Sequence, residues 1–139
     1  MEAKPKKVVF VCVHNSGRSQ MAEAFAKRLG AGKIEALSAG TQPAGALNPV
    51  VVEAMKEIGY DMSDHHPKLL TLDMVESADR IVTMGCGVDA STCPAAFLPT
   101  EDWGLEDPKG QPIEKVRQIR DEIKAKVEEL IQDMVAEDN

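Results

Sequence analysis

The run Val8-Val9-Phe10-Val11-Cys12-Val13 constrains this chain more than any other stretch. It is apolar and largely β-branched, with no polar residue in alternation, so a strand built from it must be covered on both faces. It stops at His14-Asn15-Ser16-Gly17, a composition suited to a tight loop. The period then changes. Met21, Ala22, Phe25, Ala26 and Leu29 recur at helical spacing, and Gly30 with Gly32 supplies a C-terminal stop. Strand, loop and helix in direct succession form the first unit of an α/β fold.

The rest of the chain continues the alternation. Ile34 to Leu37 reads as a short second strand, and Pro49 opens a helix carrying Val50, Val51, Ala54, Met55 and Ile58 that Gly59 stops. Leu69 to Ser77 contains another short helix, and Arg80 to Met84 reads as a third buried strand. A weaker fourth lies within Phe97 to Trp103, its length limited by Pro94 and Pro99. Val116, Ile119, Ile123, Val127, Leu130, Ile131 and Met134 make one apolar stripe on a long C-terminal helix. The expected architecture is α/β, a four-stranded parallel sheet of order 2-1-3-4 with helices on both faces, and residues 1–139 fit a single domain. In such sheets ligands gather at the carboxyl ends of strands beside the switch point. The loop after the first strand is therefore where a site is expected.

Composition narrows the function. A net charge of −7 and a pI near 5.0 supply no basic stripe for a phosphate backbone, so no nucleic-acid partner is expected. The apolar run behind the N-terminal MEAKPKK is too short for a signal sequence or a membrane span, so no membrane partner is expected and the chain is placed in the cytoplasm, as a monomer. Three cysteines in that reducing compartment do not read as a disulfide framework. They leave burial, metal binding or thiol chemistry open.

Position favours thiol chemistry for Cys12. It begins the string Cys12-Val13-His14-Asn15-Ser16-Gly17-Arg18-Ser19, between a strand end and a helix start. There the backbone N–H groups from Val13 to Arg18 can curl around one centre, and the helix dipole adds partial positive charge. A tetrahedral oxyanion suits that centre. Arg18 adds a bidentate fork that lysine cannot form, the positive field favours the thiolate of Cys12, and Ser19 can donate to the sulfur or to a leaving oxygen. Gly17 is expected to allow positive φ, and Asn15 to tolerate it or bond back across the loop. Taken singly, Cys12 reads equally as a buried strand-end thiol, Arg18 as an exposed helix-start residue and His14 as a solvated loop histidine.

These residues resemble the low-molecular-weight protein tyrosine phosphatase family, and more closely its arsenate reductase branch. The likeness covers the Cys12–Ser19 loop, Gln20-Met21-Ala22-Glu23, Ser38-Ala39-Gly40, Asn48-Pro49, Val82-Thr83-Met84 and Asp107-Pro108. It implies that Asp107 is the general acid, although Asp-Pro in isolation is also a common turn initiator. It further implies that Cys86 and Cys93 are resolving thiols that make the chain a reductase, where a phosphatase needs Cys12 alone. The alternatives are two buried small hydrophobes or a zinc site, for which the six-residue gap between Cys86 and Cys93 has no standard spacing.

The implied reaction is reduction of arsenate to arsenite. Phosphate and sulfate are the competing oxyanions, thioredoxin is the electron donor, and no bound cofactor is required. A phosphotyrosine phosphatase acting through a Cys12 phosphocysteine is the alternative. An aromatic content of 4 % disfavours it, as do Lys109 and Gly110 in the places after Asp-Pro where such phosphatases carry tyrosines. Related reductases hold potassium with an Asn, a Glu, a Ser and an Asp. Asn15, Glu23 and Ser38 match the first three, but Lys68 stands at the fourth place, so no metal is expected.

Overall fold

The computed structural model describes residues 5–84 and 101–136. The expectations for Cys86, Cys93, Pro94 and the Phe97–Thr100 part of the fourth strand lie outside the described residues. The elements are β1 (Lys6–Cys12), α1 (Arg18–Leu29), β2 (Ile34–Gly40), α2 (Pro49–Lys56), α3 (Leu72–Ser77), β3 (Arg80–Thr83), β4 (Glu101–Asp102) and α4 (Ile113–Ala136). All strand pairs are parallel and the sheet order is β2-β1-β3-β4. Among the described residues no helix is long and apolar enough to cross a membrane.

β1 lies between β2 and β3, and after Lys6 and Lys7 it is apolar from Val8 to Cys12 and buried throughout that run. Its register sets Val8 beside Ala36 on one side and Arg80 on the other. Val8 and Phe10 join the core formed with residues of α1, α2 and α4, while Val9 and Val11 on the opposite face are also fully buried. Each such side chain contributes about 1.5–3 kcal/mol on leaving water. α4 packs along α1 and α2 through Val116, Ile119, Ile123, Val127, Leu130 and Met134, with Ile131 half-buried at the edge of the stripe. Leu29 and Ile58, expected on the apolar faces, are instead exposed, because each falls at a helix end where the buried face runs out.

Four elements differ in their boundaries from the sequence reading: β1 starts two residues before Val8, at Lys6, and ends one before Val13, at Cys12. α2 closes at Lys56 and a turn carries the chain to Gly59, whose φ of +87° explains the glycine there. β3 is one residue shorter than Arg80 to Met84. β2 runs three residues past Leu37, to Gly40. Small residues supply no apolar pattern there, but Gly40 gains partners from a distant segment: its N–H donates to Lys68 O (2.8 Å) and its carbonyl accepts from Leu70 N–H (2.9 Å). This extension brings residues 68–70 and 40–48 alongside the loop that follows β1.

Candidate active site

The loop from Cys12 to Gly17 is held by its carbonyls. Cys12 O accepts from Thr41 N (3.3 Å), Val13 O from Gln42 N (2.8 Å), His14 O from Ala44 N (3.0 Å) and Ser16 O from Asn48 N (2.9 Å). Gly17 O accepts from Met21 N (3.0 Å), and Asn15 O from the side-chain Nε2 of Gln20 (3.1 Å). All six carbonyls are thus turned outward, four onto residues 41–48 between β2 and α2 and two onto α1. The described peptide bonds are all trans, so each unit points its N–H opposite to its carbonyl and the amides from Val13 to Arg18 face inward. The Asn15 N–H donates to Cys12 Sγ at 3.0 Å, which marks the sulfur as the centre of that ring. α1 begins here with no side chain capping its first turn and no acidic residue in it, so its dipole also points at the loop.

The structure divides the glycine and asparagine roles differently from the expectation. Asn15 is the residue at positive φ (52°), whereas Gly17 sits at φ −142°. What Gly17 provides is space: a Cβ there would meet Pro108 Cγ at 3.1 Å, so its bare backbone lets the Asp107-Pro108 turn close over the loop. Gly40 has the same function more strictly, because its Cβ would lie 2.6 Å from Val13 O and 3.1 Å from Asn15 N.

Beneath the sulfur runs a chain of polar groups. Ser19 Oγ lies 3.0 Å from Cys12 Sγ and accepts a 2.7 Å hydrogen bond from Asn15 Nδ2, which leaves its own proton free to point at the sulfur. Asn15 Oδ1 in turn accepts from Gln20 Nε2 (2.9 Å) and from the Lys68 N–H (2.9 Å). Gln20 Nε2 also reaches His66 O (2.9 Å), and Gln20 Oε1 meets His65 Nδ1 at 3.0 Å. Asn15, Ser19 and Gln20 are fully buried, and Cys12 keeps 5 % exposure. Burial depresses the His65 pKa despite the nearby Glu23 carboxylate, so the ring is neutral at pH 7. Two acceptor oxygens face Nδ1, which assigns the proton to that nitrogen.

Arg18 is buried, and its Nη1 donates to Leu105 O (2.8 Å) and Met84 O (3.2 Å). These carbonyls lie just past the ends of β3 and β4, so the sheet itself fixes the guanidinium at the mouth of the loop. Arg18 Nη2 stands 3.8 Å from Asp107 Oδ2, while Asp107 Oδ1 accepts from Lys109 N (3.0 Å). One oxygen of Asp107 thus initiates the turn and the other faces the arginine. Cys12, His14, Ser16, Gly17, Arg18 and Asp107 line one cleft of about 570 Å³, with Ala44, Ala46, Leu47 and Pro49 across it. His14 is exposed at the rim with Nδ1 3.1 Å from Gln42 O, which gives it a partner away from the sulfur.

Of the residues matched to a potassium site, Ser38 and Lys68 come together at Glu23, and Asn15 is joined to them through the Lys68 N–H. Burial would raise this carboxyl, but the Lys68 ammonium, the Ser38 hydroxyl and Lys27 outweigh it and hold the pKa below its ordinary 4.5. Lys68 Nζ is 3.5 Å from Glu23 Oε1, and Lys27 Nζ is 3.1 Å from Oε2. Two ammonium groups thus already face the carboxylate, and the donor set does not suit a metal cation. Ser38 Oγ is fully buried and makes no hydrogen bond of good geometry, although it is close enough to help stabilise Glu23.

The sequence reading did not assign roles to Gln20, His65 or Gly40. Gln20 carried a usable signal, as a polar residue placed where α1 turns inward next to Met21. The roles of His65 and Gly40 depend on contacts across the fold that no local pattern announces.

Over residues 7–139 the chain matches the family described as low molecular weight phosphotyrosine protein phosphatase. It is 40 % identical over 127 residues to an arsenate reductase of Staphylococcus aureus (strain Newman), covering 88 % of this chain and 94 % of that one. It is 42 % identical over 127 residues to a glutaredoxin arsenate reductase of Synechocystis sp., covering 91 % and 96 %. Among solved structures, an arsenate reductase in the phosphate binding state superposes with a TM-score of 0.79 at 40 % identity, over 93 % of this chain and 98 % of that one. A thioredoxin-dependent arsenate reductase of Corynebacterium glutamicum gives 0.79 at 35 %, over 99 % of this chain and 65 % of that longer one. An arginine phosphatase from Geobacillus stearothermophilus gives 0.79 at 27 %, over 96 % and 95 %.

Proposed function

The chain belongs to the low molecular weight phosphotyrosine protein phosphatase family, and within that family we propose that it is an arsenate reductase whose nucleophile is Cys12. The observation that carries this reading is the loop whose six carbonyls turn outward, leaving its amides gathered about Cys12 Sγ. A tetrahedral oxyanion docks on the N–H groups of Val13, His14, Asn15, Ser16 and Gly17 and on Arg18. Preorganised amides of this kind stabilise the charge that builds on the oxygens as sulfur attacks.

Cys12 thiolate attacks arsenic, and the departing oxygen takes protons, one of them from Asp107, to leave as water. Cys86 then attacks Cys12 Sγ. The S–S bond forms as the S–As bond breaks, and that electron pair stays on arsenic, which falls from the +5 to the +3 state and leaves as arsenite. Cys93 next attacks Cys86, releasing Cys12 as thiolate, and the Cys86–Cys93 disulfide is reduced by a dithiol donor. Thioredoxin is the donor in this reading, supported by the Corynebacterium glutamicum relative, while the Synechocystis relative makes glutaredoxin the comparison to run.

Substrate size supports arsenate over a phosphoester of an aromatic alcohol. Among the described residues the wall facing Cys12 is Ala44, Ala46, Leu47, Pro49 and Pro108, with no aromatic ring to stack a phenol. The phosphatase reading stays as an arm of the test because the arginine phosphatase shares the fold closely.

The relay itself is tested with Cys93→Ser. One equivalent of arsenate is expected to yield about one equivalent of arsenite and then a Cys12–Cys86 disulfide, mapped by mass spectrometry of peptides. Sustained turnover of Cys93→Ser with thioredoxin, or a trapped enzyme in which Cys12 is still a free thiol, would overturn the relay.

A further inference from the structure

Glu23 is a carboxylate with 2 % exposure, one helical turn below Ser19 on the inner side of α1. A buried charge of this kind persists only beside a counter-charge. Lys68, Lys27 and His65 face it, the last of them neutral at pH 7. The side chain of Lys27 is 54 % exposed and that of Lys68 26 %, so solvent screens the Lys68 charge less.

Lys68 alone of these three also touches the loop. Its N–H donates to Asn15 Oδ1 at 2.9 Å, and its carbonyl accepts from Gly40 N at 2.8 Å. One residue therefore grips the buried carboxylate with its side chain and the Cys12 loop with its main chain. Its ammonium stands 3.5 Å from Glu23 Oε1 and 3.5 Å from His66 O, oxygens that would otherwise face a free cation. Ser38 Oγ adds a third oxygen there, buried and without a hydrogen bond of its own.

We propose that Lys68 is a positioning residue whose ammonium serves as a tethered cation for the Glu23 cradle, in place of a free monovalent ion. Through that anchor it holds the Asn15 amide, and Asn15 holds the Ser19 hydroxyl against Cys12. Without the ammonium the 65–68 segment is left with the contacts of His65 and His66 alone on α1, the Lys68 N–H that Asn15 Oδ1 accepts is less firmly placed, and the Ser19 proton is less well directed at the sulfur. The vacated cradle then presents Glu23, His66 O and Ser38 Oγ, an all-oxygen set suited to potassium.

The inference rests on Cys12 being the nucleophile of the proposed reaction, but its test needs no arsenate, so failure of the reductase reading would not be mistaken for failure here. The rate of Cys12 alkylation by iodoacetamide at pH 7, mapped by mass spectrometry to the Cys12 peptide, is compared in sodium and potassium chloride at equal ionic strength. Wild type is expected to react equally in both salts. Lys68→Ala should react about 5- to 10-fold more slowly in sodium and recover most of that loss in potassium, while Lys68→Arg should stay near wild type. If Lys68→Ala does not fold, Lys68→Gln carries the same comparison. Faster wild-type alkylation in potassium, an unchanged rate in the neutral variant, or a slowed rate that potassium leaves untouched would each overturn the proposal.

Discussion

Cys12, the proposed nucleophile, sits at one end of a polar chain that runs Cys12, Ser19, Asn15, Gln20, His65, with neighbouring atoms 2.7–3.0 Å apart. Glu23 and His65 at its far end have depressed pKa values, Glu23 through Lys68, Ser38 and Lys27 against its burial and His65 through burial itself. The sign is the same for both. The unfolded chain takes up protons on histidine near 6.5 and on the carboxylate near 4.5, where the folded chain resists them. Their stabilising contribution is therefore complete above pH 6.5 and drains away as pH falls, first on the histidine and then, below 4.5, on the carboxylate. Melting temperature measured from pH 8 to 4 should decline along this course, and Glu23→Gln should flatten the part below 4.5. An unchanged acid limb in Glu23→Gln would remove Glu23 as its source. At this scale Cys12, Arg18 and Ser19 stood out in the sequence because reactive residue types at short spacing carry their own chemistry, whereas Asp107 was singled out only by the resemblance of its Asp-Pro pair. His65 was not, since its contact with Gln20, 45 positions away, closes only in the fold.

Among the elements, β1 and α1 were legible in type and place and to within three residues at their ends, because an apolar run and a 3.6-residue period leave few alternatives. The end of β2 was not. Ser38-Ala39-Gly40 has no apolar signature, yet this end carries the scaffold for the active loop, with the carbonyls of Cys12, Val13 and His14 bonded to the backbone of residues 41–44. Gly40 is the tightest point of that contact. Gly40→Ala would force its methyl to 2.6 Å from Val13 O, a backbone atom with little room to yield. Loss of about 1–3 kcal/mol of stability is expected, together with slower Cys12 alkylation as the loop is displaced. Wild-type stability and thiol reactivity in Gly40→Ala would show that the loop is not held by this strand extension. The helices add a further lesson: Leu29 and Ile58 fit the apolar period but lie beyond the ends of the buried faces, since periodicity does not say where packing stops.

Over the whole molecule, the acidic surface and the local positive site serve one logic. A chain of net charge −7 repels anions at long range, so an oxyanion is captured only where amides, a helix start and Arg18 converge. The parallel sheet places that convergence at the carboxyl end of β1, with Asp107 from the turn after β4 on the same cleft. Sheet order and cleft location followed from the alternation of strand and helix patterns, whereas the locking of Arg18 by Met84 and Leu105 required the completed sheet. The measurement that bears most directly on the central claim is NADPH consumption by the purified chain with thioredoxin and thioredoxin reductase, started by arsenate, with para-nitrophenyl phosphate hydrolysis followed beside it. Arsenate-dependent consumption that vanishes in Cys12→Ser, with hydrolysis slow by comparison, is the predicted result; brisk hydrolysis with no arsenate-dependent consumption, from thioredoxin or from glutaredoxin supplied in its place, would contradict it.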